Sequence, residues 1–176
     1  MKKKFKLLGL ALASALVITG CGSSNESSNS SVVIAYQNDI ATLDPAIGYD
    51  WQNWSIIKSL FSRLLDYEPG TTNIVPDLAT AMPEISADGK TFTFSLRDDV
   101  KFHNGRTLTA DDVKYSIERA VNPKTQGPGA GFFGSIVGYD DAAAGKKTDI
   151  SGIVVNSPTS ITFNLSRPDE IGRAHV

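Results

Sequence analysis

The stretch "SADGKTFTFSLRDD" constrains the fold of this chain more than any other. After Asp88 and Gly89, a strong turn signal, Phe92, Phe94 and Leu96 alternate with Thr91, Thr93 and Ser95. Successive side chains of a strand point to opposite faces, so one face here is buried and the other polar. "PEISADGKTFTFSLRDDVKFHNG" therefore predicts a hairpin, with Asn104-Gly105 making a further turn.

Helical periodicity appears twice. In "DWQNWSIIKSLFSRLLDY", residues 50–67, Trp54, Ile57, Leu60, Phe61, Leu64 and Leu65 recur at helical spacing, with Asp50 or Asn53 as the cap. In "TADDVKYSIERAV", Thr109 is the expected N-cap, with Asp112 closing a variant capping box. Val113, Ile117, Ala120 and Val121 then form the buried stripe, and Lys114 and Glu118 pair on the outside. "SVVIAYQ", residues 31–37, reads as a strand buried on both faces. "NDIATLDPAIGYD" is a loop, because Pro45 forces an extended Asp44. "EPGTTNIVPDLA" is a turn and extended segment, "NPKTQGPGAGFFGSIVG" a long loop and "YDDAAAGK" a short helix. "SGIVVNSPTSITFNLSRP" is a hairpin in which Val154, Ile161, Phe163 and Leu165 face inward.

The N-terminus carries an address. "MKKKFKLLGLALASALVITGC" places four lysines before an unbroken run of apolar and small residues from Leu7 to Ile18. That pattern reads as the n-region and h-region of a signal peptide, too short for a membrane span of ~20 residues. "ITGC" resembles a lipobox, with Cys21, the single cysteine, as the lipidation site. "GSSNESSNSS" has no apolar residue and reads as a flexible tether. The expected organisation is a lipoprotein signal peptide over 1–20, a tether over 21–31 and a globular domain over 32–170, which the resemblance given below makes a partial substrate-binding domain. At the other end, Ile-Gly-Arg-Ala-His-Val, residues 171–176, is what a common sequencing adapter encodes in one frame. Together with Glu170 it reads as adapter read-through into a truncated gene.

The residue inventory disfavours catalysis. The chain has 17 Lys and Arg against 19 Asp and Glu, and four of the lysines belong to the leader, leaving about −6. With no basic patch, nucleic acid is not an expected partner. His103, the one histidine outside the tail, sits by the Asn104-Gly105 turn without partners at ligand spacing. Asp111 and Asp112 are helix neighbours pointing about 100° apart, so they do not converge on one site. Gly145-Lys146-Lys147-Thr148 lacks the Ser or Thr and the preceding glycine of a phosphate loop. No catalytic residue, metal site or cofactor is expected. A surface hydrolase using a carboxylate pair is the weaker alternative.

The order of motifs resembles a known family. A lipobox leads to a strand, "LDPA", and a helix ending "LFSRLLDYEPG". Then come "VPDLATAMPEISADGKTFTFSLRDDVKFHNGRTLTADDVKYSIERAVNP", "DDAAAGK" and "ISGIVVNSPTSITFNLSRP". Together these resemble the peptide-type (family 5) substrate-binding proteins of ABC importers, the dipeptide, oligopeptide and nickel-binding group. The resemblance runs from Val32 to Pro168. It implies an α/β fold of the type II periplasmic-binding-protein kind, with two lobes closing on a hinge. Present here would be the first strand of lobe one and most of the family's extra α+β subdomain, without the second lobe.

The resemblance also implies function. The protein would bind a peptide, nickel chelate or small oligosaccharide outside the cell and deliver it to ABC permease subunits, lipid-anchored on the extracytoplasmic face of the bacterial membrane. A surface peptide or pheromone receptor on the same scaffold is the alternative. By position, Asn38, Asp39 and Ile40 before "LDP" are candidate ligand-binding residues, as are Tyr49, Asp50 and Trp51. The acidic residue that grips a peptide's amino group would lie in the second lobe. Without neighbours for "VVIAY", the fragment is expected to be unstable on its own.

Overall fold

The computed structural model describes residues 39–168 throughout, together with Val33, Ala35 and Gln37. The chain divides at Ala35, and apart from Val33 and Ala35 the residues described belong to the unit that begins at Tyr36. The expected signal peptide, Cys21, the expected tether, Asn38 and the tail from residue 169 lie outside the described residues. Of the strand expected over 31–37, the described Val33, Ala35 and Gln37 are exposed and carry no strand assignment.

The elements run α1 (Trp51–Leu60), β1 (Leu65–Tyr67), β2 (Ile74–Pro76), β3 (Glu84–Ile85), β4 (Thr91–Ser95) and α2 (Ala110–Val121). A 3-10 turn (Ala130–Phe133), α3 (Tyr139–Ala143), β5 (Ile153–Ser157) and β6 (Ser160–Asn164) follow. β3, β4, β6 and β5 form an antiparallel sheet in that order, and β1 and β2 a separate two-stranded ribbon.

The amphipathic strand folds as its alternation demands. Phe92, Phe94 and Leu96 are buried, Phe94 completely. Phe94 meets Phe163 edge-on, with ring centroids 5.7 Å apart. On the opposite face Thr93 and Thr162 join their hydroxyls at 2.9 Å, and Asn156 donates to Thr162 at 2.8 Å. The hairpin turn at Gly89 takes φ +68°, which glycine adopts without a Cβ clash. Its ends close through the Ser86 N–H to the Thr91 carbonyl at 3.0 Å.

Two expectations are corrected. The helix expected to reach Tyr67 stops at Leu60. Phe61 is extended, and the Arg63 N–H donates to Asp77 Oδ2 at 2.7 Å. Leu65 then pairs with Pro76 and enters the core. Pairing with a later segment has overridden a helical period that continued through Leu64 and Leu65. In the last hairpin the register Ile153↔Phe163 and Val155↔Ile161 turns Ile153 and Val155 inward. Val154 faces out at 40% exposure, because a shift of one residue exchanges the faces of a strand.

Helix α2 is capped as expected. Thr109 and Asp112 form the capping box, with the Thr109 N–H donating to Asp112 Oδ2 at 2.9 Å. Arg106 holds the same carboxylate with two bonds of 2.9 and 2.7 Å, and its guanidinium lies over the Phe102 ring. Asp112 is thereby kept below the usual carboxylate range, mainly by Arg106. His103 and Asp111 are exposed, and no group of metal-ligating side chains occurs among the described residues. Lys114 and Glu118 are not simply an outer pair. Lys114 reaches Asp149 at 2.6 Å, and Glu118 accepts the N–H of fully buried Ile150 at 3.0 Å. Both side chains clamp the segment entering β5.

Helix α2 packs against β5, the 3-10 turn and α3. Its inner face (Ala110, Val113, Ile117 and Val121) joins Phe94, Ile136, Ile150, Ile153 and Ile161 in one core. Among the described residues no helix is long and apolar enough to cross a membrane.

Candidate ligand-binding site

Residues 42–50 fold as a tight turn organised by one carboxylate. Asp44 Oδ1 accepts the Ala46 N–H at 3.0 Å, and the Asp44 carbonyl accepts the N–H groups of Ile47 and Gly48. Thr42 Oγ1 accepts the Asp44 N–H at 3.1 Å. Pro45, which lacks an N–H, removes a donor that the turn would otherwise have to satisfy. The Asp44 carboxylate then meets the Arg119 guanidinium of α2 in a two-pronged ion pair, Nη1 to Oδ1 at 2.8 Å and Nη2 to Oδ2. Arg119 is the main cause of an Asp44 acidity stronger than usual. Burial opposes it and the Ala46 amide assists.

Two further ties join this turn to the segment after α2. A Cβ on Gly127 would lie 2.6 Å from the Ala46 carbonyl oxygen and 2.9 Å from that of Ala120. Only a glycine allows that approach without movement of the backbone. The preceding Gln126 has φ +54°, a left-handed conformation uncommon for a residue with a side chain. The ring of Tyr49 stacks on Phe132 with centroids 6.2 Å apart, and Trp54 meets it edge-on at 5.0 Å. Trp54 in turn donates its indole N–H to the Gly48 carbonyl at 3.1 Å.

The candidate residues named from sequence fare differently. Asp39 and Ile40 are exposed ahead of the turn, and Asn38 is outside the described residues. Tyr49 is half exposed within the aromatic cluster. Trp51, at 86% exposure, projects from the first turn of α1. Asp50 is the N-cap of that helix. Its carboxylate accepts from the N–H groups of Gln52 and Asn53 and from Asn53 Nδ2 at 2.6 Å, so it positions Trp51 and Asn53. Asn53 itself is buried. Tyr49, Asp50 and Trp51 thus stand together at one end of the pinned turn.

Phe132 and Arg119 were not anticipated. Phe132 is 73% exposed and presents a second aromatic surface beside Tyr49. Its only sequence signal was a pair of aromatics inside a glycine-rich loop. Arg119 lies 75 residues from its partner, a separation that local patterns do not report. Two open hollows lie elsewhere, one of about 540 Å³ between α2 and β5, the other between α1 and the β1–β2 ribbon. Neither is lined by residues 39–51.

The mixed α/β fold is that of part of the type II solute-binding proteins. The murein tripeptide binding protein MppA of Escherichia coli superposes with a TM-score of 0.70 at 31% identity, over 77% of this chain and 26% of that one. The pheromone receptor PrgZ, solved with its mode of peptide binding, gives 0.69 at 26% identity, over 74% and 26%. A dipeptide-binding protein of Lactococcus lactis is 33% identical over 94% of this chain and 30% of its own length. Residues 73–174 match the family described as bacterial extracellular solute-binding proteins, family 5 Middle, and the chain belongs to that family. The match runs into the tail that begins at residue 171. The chain spans under a third of the length of these relatives.

Proposed function

We propose that this chain belongs to the solute-binding lipoprotein of an ABC importer, which captures peptides outside the cell and hands them to membrane permease subunits. The observation that carries this reading is the pinned turn. It sets Tyr49, stacked on Phe132, and Trp51 at the surface of a part of the solute-binding fold. Exposed aromatic rings at a fixed position suit an apolar or amide-rich ligand such as a short peptide. Asp39 and Ile40, exposed ahead of the turn, are proposed as further ligand contacts. The part played is binding, without catalysis or a cofactor.

The pheromone receptor among the structural relatives supports a second reading, a surface peptide receptor on this scaffold. Permease and ATPase genes found next to this gene would favour import over the receptor reading. Cys21 is proposed as the lipid anchor. Labelling cells with a radioactive fatty acid should mark the wild type and not Cys21→Ala. The tail from residue 171 is proposed to be adapter-derived, and resequencing the locus tests it.

The functional test is a thermal-shift screen of the protein from the recovered full-length gene, with di- and tripeptides, nickel chelates and oligosaccharides. Ligand at ~100 times its Kd adds ~2.7 kcal/mol to stability. A peptide-induced rise in Tm supports the reading, and a rise only with chelates or sugars contradicts it.

A further inference from the structure

Three ties reach from the turn to α2 and the loop after it, in the same order along both segments. Asp44 pairs with Arg119, Ala46 abuts Gly127, and Tyr49 stacks on Phe132. Arg119 stands in the last turn of α2. The residues that seat this helix in the core (Ala110, Val113, Ile117 and Val121) do not include it. Removing the guanidinium therefore leaves the core packing of α2 in place while freeing the turn at its first tie.

We propose that Arg119 is a positioning residue: through the Asp44 carboxylate it holds residues 42–50 in the conformation that presents Tyr49 and Trp51 to ligand. This rests on the proposed function both for the ligand and for Tyr49 and Trp51 as the residues that meet it; the pinning of the turn by Arg119 does not. Among the described residues, Arg119 makes no hydrogen bond or ion pair with Tyr49 or Trp51; its bonds go to Asp44. Its effect passes through Asp44, whose carboxylate and carbonyl order the backbone as far as Gly48. Gly48 receives the Trp54 indole, and Trp54 supports the Tyr49 ring. A loop already in its bound shape loses less conformational freedom on binding, so affinity depends on the ion pair. A lysine keeps the charge but not the two-pronged geometry.

The test uses the full-length protein with Arg119→Ala and Arg119→Lys variants. Two quantities are measured: hydrogen exchange at the Trp54 indole N–H, compared with the backbone amides of Phe94 and Ile161, and calorimetric affinity for trialanine. In Arg119→Ala, indole exchange should quicken roughly tenfold while the two core amides keep their rates, since local opening is separable from global unfolding. Trialanine affinity should fall by about tenfold, the cost of ordering a loosened loop. Arg119→Lys should recover part of both losses. The proposal is overturned if indole exchange does not change or quickens no more than that of the core amides. It is also overturned if Arg119→Lys behaves no better than Arg119→Ala, or if affinity is unaltered in a protein that binds trialanine. A wild type that binds no peptide would defeat the proposed function instead, and the exchange rates would still decide whether Arg119 pins the turn.

Discussion

Asp44 and Arg119 meet through two side-chain hydrogen bonds across 75 residues of sequence, joining a proline-containing turn to the end of a helix. The pair is partly exposed, at 26% and 38% of the side-chain surfaces. Its direct contribution to global stability is then about 1 kcal/mol or less. The larger consequence is local order in the turn.

That order should respond to acid. Arg119 lowers the folded-state pKa of Asp44 below its unfolded value. The stabilisation is thus present above the unfolded value, roughly pH 4, and is lost as pH falls through the folded value. Trp54 emission, followed from pH 6 downward, should change below about pH 4, ahead of global unfolding. In Asp44→Asn this early change should be missing, because the titrating group is gone.

Gly127→Ala should destabilise by about 1–3 kcal/mol, because the new methyl meets two backbone oxygens with no flexible group to yield. Urea unfolding would measure it. A variant as stable as wild type would show that the approach of Ala46 to Gly127 is looser than described.

Phe94→Ala should cost about 3–5 kcal/mol, the usual loss for a fully buried aromatic. Thr93→Val, on the polar face opposite, removes the Thr162 hydroxyl contact and should cost only about 1 kcal/mol. The contrast between adjacent residues checks the register of β4 directly.

Asp112→Ala should cost more than Asp111→Ala. Asp112 closes the capping box and holds Arg106, whereas Asp111 is exposed. A loss of about 1–2 kcal/mol for the first and under 0.5 kcal/mol for the second is expected from thermal melts. The Asp112 contribution should also fade below about pH 4, since its folded pKa is lowered as well.

Local chemistry made much of this legible beforehand. The Phe92–Leu96 alternation, the Asp88-Gly89 turn and the Thr109 cap depend on residues within a few positions, and each formed as its sequence implied. The end of α1 did not follow its sequence, because Leu64 and Leu65 satisfy a helical period equally well. Asp77 and Pro76, arriving later, draw them into a strand. The same distance effect hid Arg119 and Phe132. Asp50 and Trp51 are ligand candidates by resemblance, and the helical pattern offers Asp50 or Asn53 as the cap of α1; the three hydrogen bonds to Asp50 decide between the two.

Tyr49 and Trp51 are proposed to form part of a peptide-binding surface. Isothermal titration of the full-length protein with di- and tripeptides, in wild type and in Tyr49→Ala and Trp51→Ala, tests it most directly. The account predicts saturable peptide binding in wild type. Losing one aromatic contact should weaken it about tenfold, with melting temperatures little changed for exposed Trp51. Peptide affinity unaffected by both substitutions, or no peptide binding by a folded wild type, would contradict it.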